Sequence, residues 1–146
     1  RHMRQQPAID PDRILLVGQS AGGHGSLAAL SRAPPGVVGA INVAGGRGSK
    51  APDDTCGPDR LIESIAVFGR ATRLPSLWIY TANDSYFPPP LARAMFEGYV
   101  AGAAPAEFVD LPAFGDDGHM LFARARGVAL WAPAVTRFLD TLRLAR

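Results

Sequence analysis

The run Ile14-Leu15-Leu16-Val17-Gly18-Gln19-Ser20-Ala21-Gly22-Gly23 decides how the rest of the chain is read. Its four consecutive apolar residues, Ile14 to Val17, read as a buried strand. A Gly-x-Ser-x-Gly turn follows at once, and Ser26-Leu27-Ala28-Ala29-Leu30 beyond it reads as helix. A serine at the apex of such a strand–turn–helix sits in strained backbone with its hydroxyl exposed, the arrangement of a nucleophile elbow. Gly18 and Gly22 flank Ser20 where a Cβ is expected to collide with the neighbouring strand or helix. Ser20 is therefore the candidate nucleophile, and the remaining sequence must supply the groups that activate it.

The bulk properties narrow the class. A chain of 146 residues is one domain at most. With 47% hydrophobic and 19% charged residues it has the balance of a soluble, ordered globular protein. The net charge is +2, and the basic residues are scattered and almost all arginine, so neither nucleic acid nor a membrane surface is expected as partner. No apolar run approaches the roughly 20 residues of a membrane span. Arg1 to Gln6 carry no apolar leader. The compartment stays open: cytoplasmic, or periplasmic or secreted if a leader lies upstream. Cys56, the one cysteine, excludes an internal disulfide and a cysteine metal cluster. It is expected as a small buried apolar residue, with a disulfide to sequence outside the chain as the alternative. Because the chain opens mid-pattern, a fragment is expected.

In order, residues 1–8 read as the frayed end of a helix and Asp10-Pro11-Asp12 as a turn. The first strand covers about Arg13–Val17, and the helix after the elbow runs to about Ser31, where Pro34-Pro35-Gly36 stops it. Val37–Val43 is evenly apolar, as in a parallel sheet covered on both faces. Residues 44–57 read as a loop. Pro58 opens a helix to about Phe68, with Leu61, Ile62, Ile65 and Phe68 on one face and Gly69 after its end. A third strand, Pro75–Thr81, runs into Ala82-Asn83-Asp84-Ser85. Pro88–Pro90 permit a helix start, and Leu91, Ala94, Met95 and Tyr99 give an apolar face to about Ala103. Ala106–Leu111 is the fourth strand, Pro112–His119 a loop, and Trp131–Leu144 the last helix. Strands alternating with helices through long crossovers indicate a parallel α/β sheet flanked by helices.

A serine hydroxyl needs a general base within reach, and a third group to orient that base. In an open α/β sheet such groups collect beyond the carboxyl ends of the strands. Asp84 follows the third strand and His119 the fourth, giving the order Ser, Asp, His. Competing groups fit less well. His24 lies one turn after Ser20 on the same helix and is expected as pocket wall or packing; His2 lies in the frayed start. Asp116 and Asp117 are close enough in sequence to His119 to shape its turn, so Asp84 is preferred. Asp53, Asp54, Glu63 and Glu97 read as solvated. The glycines are followed by no Lys-Ser/Thr, which excludes a phosphate loop, and their spacing excludes a dinucleotide fingerprint. No metal-ligand spacing is present, and no metal or cofactor is expected.

Gly18-Gln19-Ser20-Ala21-Gly22-Gly23, Ala82-Asn83-Asp84-Ser85-Tyr86-Phe87-Pro88 and Asp117-Gly118-His119 together resemble the α/β-hydrolase superfamily, most closely dienelactone-hydrolase-like esterases. The resemblance covers nearly the whole chain but only the second half of that fold. It implies a domain truncated to about its last four strands. The dienelactone hydrolases proper carry a cysteine nucleophile; serine at position 20 points instead to simple ester chemistry. One oxyanion donor is expected from the backbone of Ala21, the other from a loop that this chain does not contain. Gln19, Tyr86, Phe87, Phe114 and Met120 flank the triad segments as candidate pocket residues. The expected function is hydrolysis of a small-molecule carboxylic ester. The alternatives are a prolyl-oligopeptidase-like serine peptidase and a catalytically inactive module. Either the missing N-terminal half or a second chain is expected to pair with the exposed first strand.

Overall fold

The computed structural model describes residues 5–144. Its sheet is built from β1 (Ile14–Gln19), β2 (Val37–Val43), β5 (Ser76–Thr81) and β6 (Ala106–Leu111), in the order β1-β2-β5-β6. All three pairings are parallel. The connections carry α1 (Ala21–Leu30), a hairpin of β3 (Ser49–Ala51) and β4 (Asp54–Thr55) with α2 (Pro58–Ala71), and then α3 (Pro89–Val100). A 3₁₀ turn (Gly118–Ala123) leads by a second short turn into α4 (Val128–Thr141).

The expected parallel α/β sheet is what the chain forms. Every residue of β5 is buried, and its alternation explains the layers. Trp78 and Tyr80 point to one side, into a core with Leu27 of α1, Leu61 and Ile65 of α2, and Met95 and Tyr99 of α3. Leu77 and Ile79 point to the other, packing with Ile41, Val43, Ala134 and Phe138 beneath α4. The aromatic side is tightly tied, with the Trp78 ring 5.0 Å from Tyr99 and 5.5 Å from Phe96. Trp78→Ala is expected to lower unfolding free energy by about 3–5 kcal/mol, read by urea denaturation, because a fully buried indole leaves a cavity that helices on a rigid sheet cannot fill.

Several boundaries differ from the sequence reading, each for a local reason. Gly69 lies inside α2, not after it. A Cβ there would sit 2.0 Å from the Tyr99 carbonyl oxygen, so the glycine permits the close α2–α3 approach. The 44–57 loop contains the β3–β4 hairpin. Its turn at Asp53 (φ 58°) is pinned by Asp53 N–H donating to the Ser85 carbonyl at 2.8 Å, a tertiary contact with no local signal. Cys56 is exposed, not buried. The last helix begins at Val128, ahead of Trp131. Asp10–Asp12 forms the expected turn, with Asp12 N–H donating to Asp10 Oδ1. Residues 5–8 form no α-helix, and His2 lies outside the described residues.

Two features position the site. The carboxyl ends of the four strands align along one edge, with Gln19 opposite Val43, Val43 opposite Ile79 and Thr81 opposite Leu111. Among the described residues β1 pairs only with β2, and Val17 on it is 48% exposed. No described helix is long and apolar enough to cross a membrane.

Candidate active site

Ser20 is the hinge between β1 and α1. Its backbone is at φ 54°, ψ −124°, a region that side chains other than glycine's rarely occupy. Three bonds hold it there: Ser20 N–H donates to the Val43 carbonyl (3.0 Å), and the Ser20 carbonyl accepts from His24 (3.2 Å) and Gly46 (3.1 Å) amides. The serine occupies the N-cap position of α1, yet its side chain makes no capping bond, so the hydroxyl is left for other work. The tight turn depends on Gly18, where a Cβ would lie 2.1 Å from the Gly22 carbonyl oxygen. Gly22 does not share that role. Nothing lies within 4 Å of a Cβ built on it, and the crowded second position is Gly23, against Asn42 and Gly45.

Asp84 comes from the turn after β5 and is 2% exposed. Its Oδ1 accepts from the amides of Tyr86 and Phe87, each at 2.9 Å. His119, at the start of the 3₁₀ turn after β6, places Nδ1 3.2 Å from both Asp84 oxygens. A carboxylate only accepts, so Nδ1 carries a proton and donates it to Asp84. The imidazole is pressed between aromatic rings, 4.5 Å from Tyr86 and 5.7 Å from Phe87.

Ser20, Ala21, Tyr86, Phe87, His119 and Met120 line one cleft of about 360 Å³. Ser20 and His119 thus share its wall, although among the described residues no hydrogen bond joins them; such bonds often form only with substrate in place. As the first residue of α1, Ala21 has no helical acceptor for its N–H. Two expected pocket residues lie elsewhere. Gln19 is not in the cleft wall, and its Nε2 donates to the His119 carbonyl at 2.7 Å. Phe114 is buried in the core under α4, with the Arg126 guanidinium 4.9 Å from its ring centroid.

The 44–57 segment supplies wall residues that sequence reasoning missed: Gly46, Arg47, Gly48 and Ser49. They are held from behind by Tyr80, whose hydroxyl donates to the Gly45 carbonyl (2.5 Å) and accepts from Asn42 Nδ2 (3.3 Å). His24 faces away from the cleft, 3.3 Å from Ser64 Oγ and edge-on to Phe68. Burial, and then the Arg47 charge, push its imidazole pKa down.

Asp117 shapes the histidine's turn and does more. One oxygen accepts from the His119 amide (2.9 Å) and the Ser85 amide (3.2 Å), and the other accepts from the Ser85 hydroxyl (2.6 Å). It therefore clamps the loop bearing Asp84 to the turn bearing His119. Burial pushes its carboxyl up, but the Ser85 hydroxyl, the two amides and the His119 charge together hold it below the usual carboxylate range. A depressed pKa stabilises the fold above the unfolded value, and that stability is lost as pH falls through the folded one. The melting-temperature gap between wild type and Asp117→Ala is accordingly expected to be clear at neutral pH and to close below about pH 4.

No protein-family model and no curated protein matches the sequence. Solved structures do match. A dienelactone hydrolase structure from Klebsiella pneumoniae aligns at TM-score 0.62 and 20% identity, over 93% of this chain and 54% of that one. The acylaminoacyl peptidase of Pyrococcus horikoshii aligns at TM-score 0.69 and 17% identity, over 95% of this chain and 25% of that one. The esterase PE8 aligns at TM-score 0.59 and 20% identity, over 92% and 52%. The chain spans about half or less of the length of each neighbour. At these identities the likeness is one of architecture, and the architecture is that of the α/β-hydrolase fold.

Proposed function

We propose that this chain carries the reacting residues of a serine hydrolase that cleaves carboxylic esters through an acyl-enzyme. The observation that carries the reading is the strained, uncapped Ser20 on the wall of a cleft shared with His119, whose Nδ1 is bound to Asp84. In this reading His119 Nε2 takes the Ser20 proton as Oγ attacks the acyl carbon. The Asp84 carboxylate stabilises the imidazolium that results. The oxyanion accepts from the Ala21 N–H, and His119 returns the proton to the departing alcohol. A water activated the same way then releases the acid.

Residues 1–146 are in this reading a single partial α/β-hydrolase domain, with the second oxyanion donor on a loop outside them. The limited span of the neighbours, 25% to 54%, supports this. Loss of one such donor costs roughly 3 kcal/mol in the barrier, so the complete domain is the form to assay. The unpaired edge of β1 is then where the rest of the domain, or a second chain, adds its strand.

A serine-directed fluorophosphonate is expected to label Ser20 stoichiometrically, located by peptide mass spectrometry. A folded protein that takes up no label would overturn the proposal and leave an inactive module. The peptidase reading is kept alive by the acylaminoacyl peptidase likeness. Turnover of 4-nitrophenyl acyl esters without cleavage of N-acyl-aminoacyl anilides is the expected result, and the reverse preference would favour the peptidase.

A further inference from the structure

Beside the Ser20 cleft lies a second cavity of about 330 Å³, which the proposed chemistry does not use. Its floor is apolar, from Leu61 and Phe68. Its rim carries the exposed side chains of Arg47 and Arg60, and His24 and Ser64 form the wall between. Arg47 and Gly48 line both cavities, so the two adjoin along this segment.

The charge of this cavity is unbalanced. No acidic side chain contributes to its wall. Among the described residues the arginines in ion pairs are Arg93 on α3 and Arg137 on α4, and neither Arg47 nor Arg60 is in one. His24 does not supply a countercharge. The Ser64 hydroxyl donates to the Leu61 carbonyl at 2.8 Å, so its oxygen receives the His24 Nε2–H. Two guanidiniums above an apolar floor fit a short carbon chain that ends in an oxyanion, because the planar fork of arginine matches carboxylate and phosphate alike.

We propose that the Arg47–Arg60 cavity is an oxyanion subsite, holding a carboxylate or phosphate on the same substrate whose ester carbonyl lies at Ser20. The part about the shared substrate rests on the serine-hydrolase reading; the subsite itself does not, and the test separates them.

The first arm uses a Ser20→Ala protein, which binds without turnover, titrated with glutarate and with inorganic phosphate. Saturable binding is expected by calorimetry, together with a shift of the His24 imidazole resonances in NMR. Binding of the preferred anion should weaken at least tenfold in Arg47→Gln and in Arg60→Gln, both at exposed positions, and weaken with added salt. Glutaramide, the uncharged counterpart, should not bind. The second arm, run on the complete domain, compares 4-nitrophenyl hydrogen glutarate with 4-nitrophenyl butyrate. The charged-to-neutral ratio of kcat/KM is expected to exceed one and to fall at least tenfold in Arg47→Gln. Anion binding that is absent, or unchanged by both substitutions, overturns the subsite. Anion binding with no hydrolysis of either ester keeps the subsite and removes the serine-hydrolase reading. Hydrolysis with no charge preference keeps that reading and removes the shared substrate.

Discussion

Ser20→Ala is expected to lower kcat/KM by about 10⁴–10⁶ in the complete domain while leaving its stability almost unchanged. The two halves of that expectation come from different observations. On the proposed reading, activity falls because the attacking atom is gone, and only binding and the oxyanion donor remain. Stability holds because the Ser20 hydroxyl makes no capping bond, and the three bonds that fix this residue are all to its backbone. Ser20→Gly sharpens the point. Glycine tolerates φ 54° without strain, so this variant should be equally inactive and more stable than wild type by about 1 kcal/mol. A serine kept merely as a helix cap would show a different pattern, with stability lost in Ser20→Ala and activity lost only in proportion. Thermal denaturation beside initial rates on a 4-nitrophenyl ester reads both quantities from one preparation.

The features legible in the sequence were those written in local periodicity. Val37–Val43 and Ala106–Leu111 have the bounds expected of them, the first because it is an apolar run after Gly36 and the second because Pro105 and Pro112 bracket it. Helix ends set by tertiary contact were not legible: α2 continues past Gly69 because that glycine meets Tyr99 from another helix. The same holds in the site. Ser20, Asp84 and His119 could be ordered from strand ends alone, since a parallel sheet brings those ends to one edge. The cleft wall could not. Gly46 to Ser49 come from a stretch without period, placed by Tyr80 behind it and by the Ser85 carbonyl beside it. Phe114 packs in the core under α4, and an aromatic residue in a loop gives no sign in the sequence of which side of the sheet it packs on. The Asp-Gly-His spacing at 117–119 did hold a readable signal, an acid two residues before the histidine that caps its turn.

Asp84→Asn is expected to cost about 10⁴ in kcat with the fold intact, and the reason is the direction of one hydrogen bond. In the wild type Oδ1 accepts two backbone amides, which fix the carboxylate, and both oxygens face the His119 Nδ1–H. Asparagine can keep its carbonyl oxygen on the Tyr86 and Phe87 amides, because those two donors accept no substitute. Its NH₂ group then takes the other position, facing Nδ1. Two donors cannot share a bond, so the imidazole adopts the tautomer with its proton on Nε2. A protonated Nε2 can no longer accept the Ser20 proton in the proposed mechanism. Asp84→Ala would be inactive for a second reason. It leaves the Tyr86 and Phe87 amides without their acceptor at a buried site, at about 1–3 kcal/mol each. The comparison therefore separates orientation from support: Asn should lose rate and keep its melting temperature, whereas Ala should lose both. If Asn retained rate within tenfold of wild type, Asp84 would be a loop anchor only, and the acid partner of His119 would have to be sought at Asp117, the other carboxylate bonded to that residue.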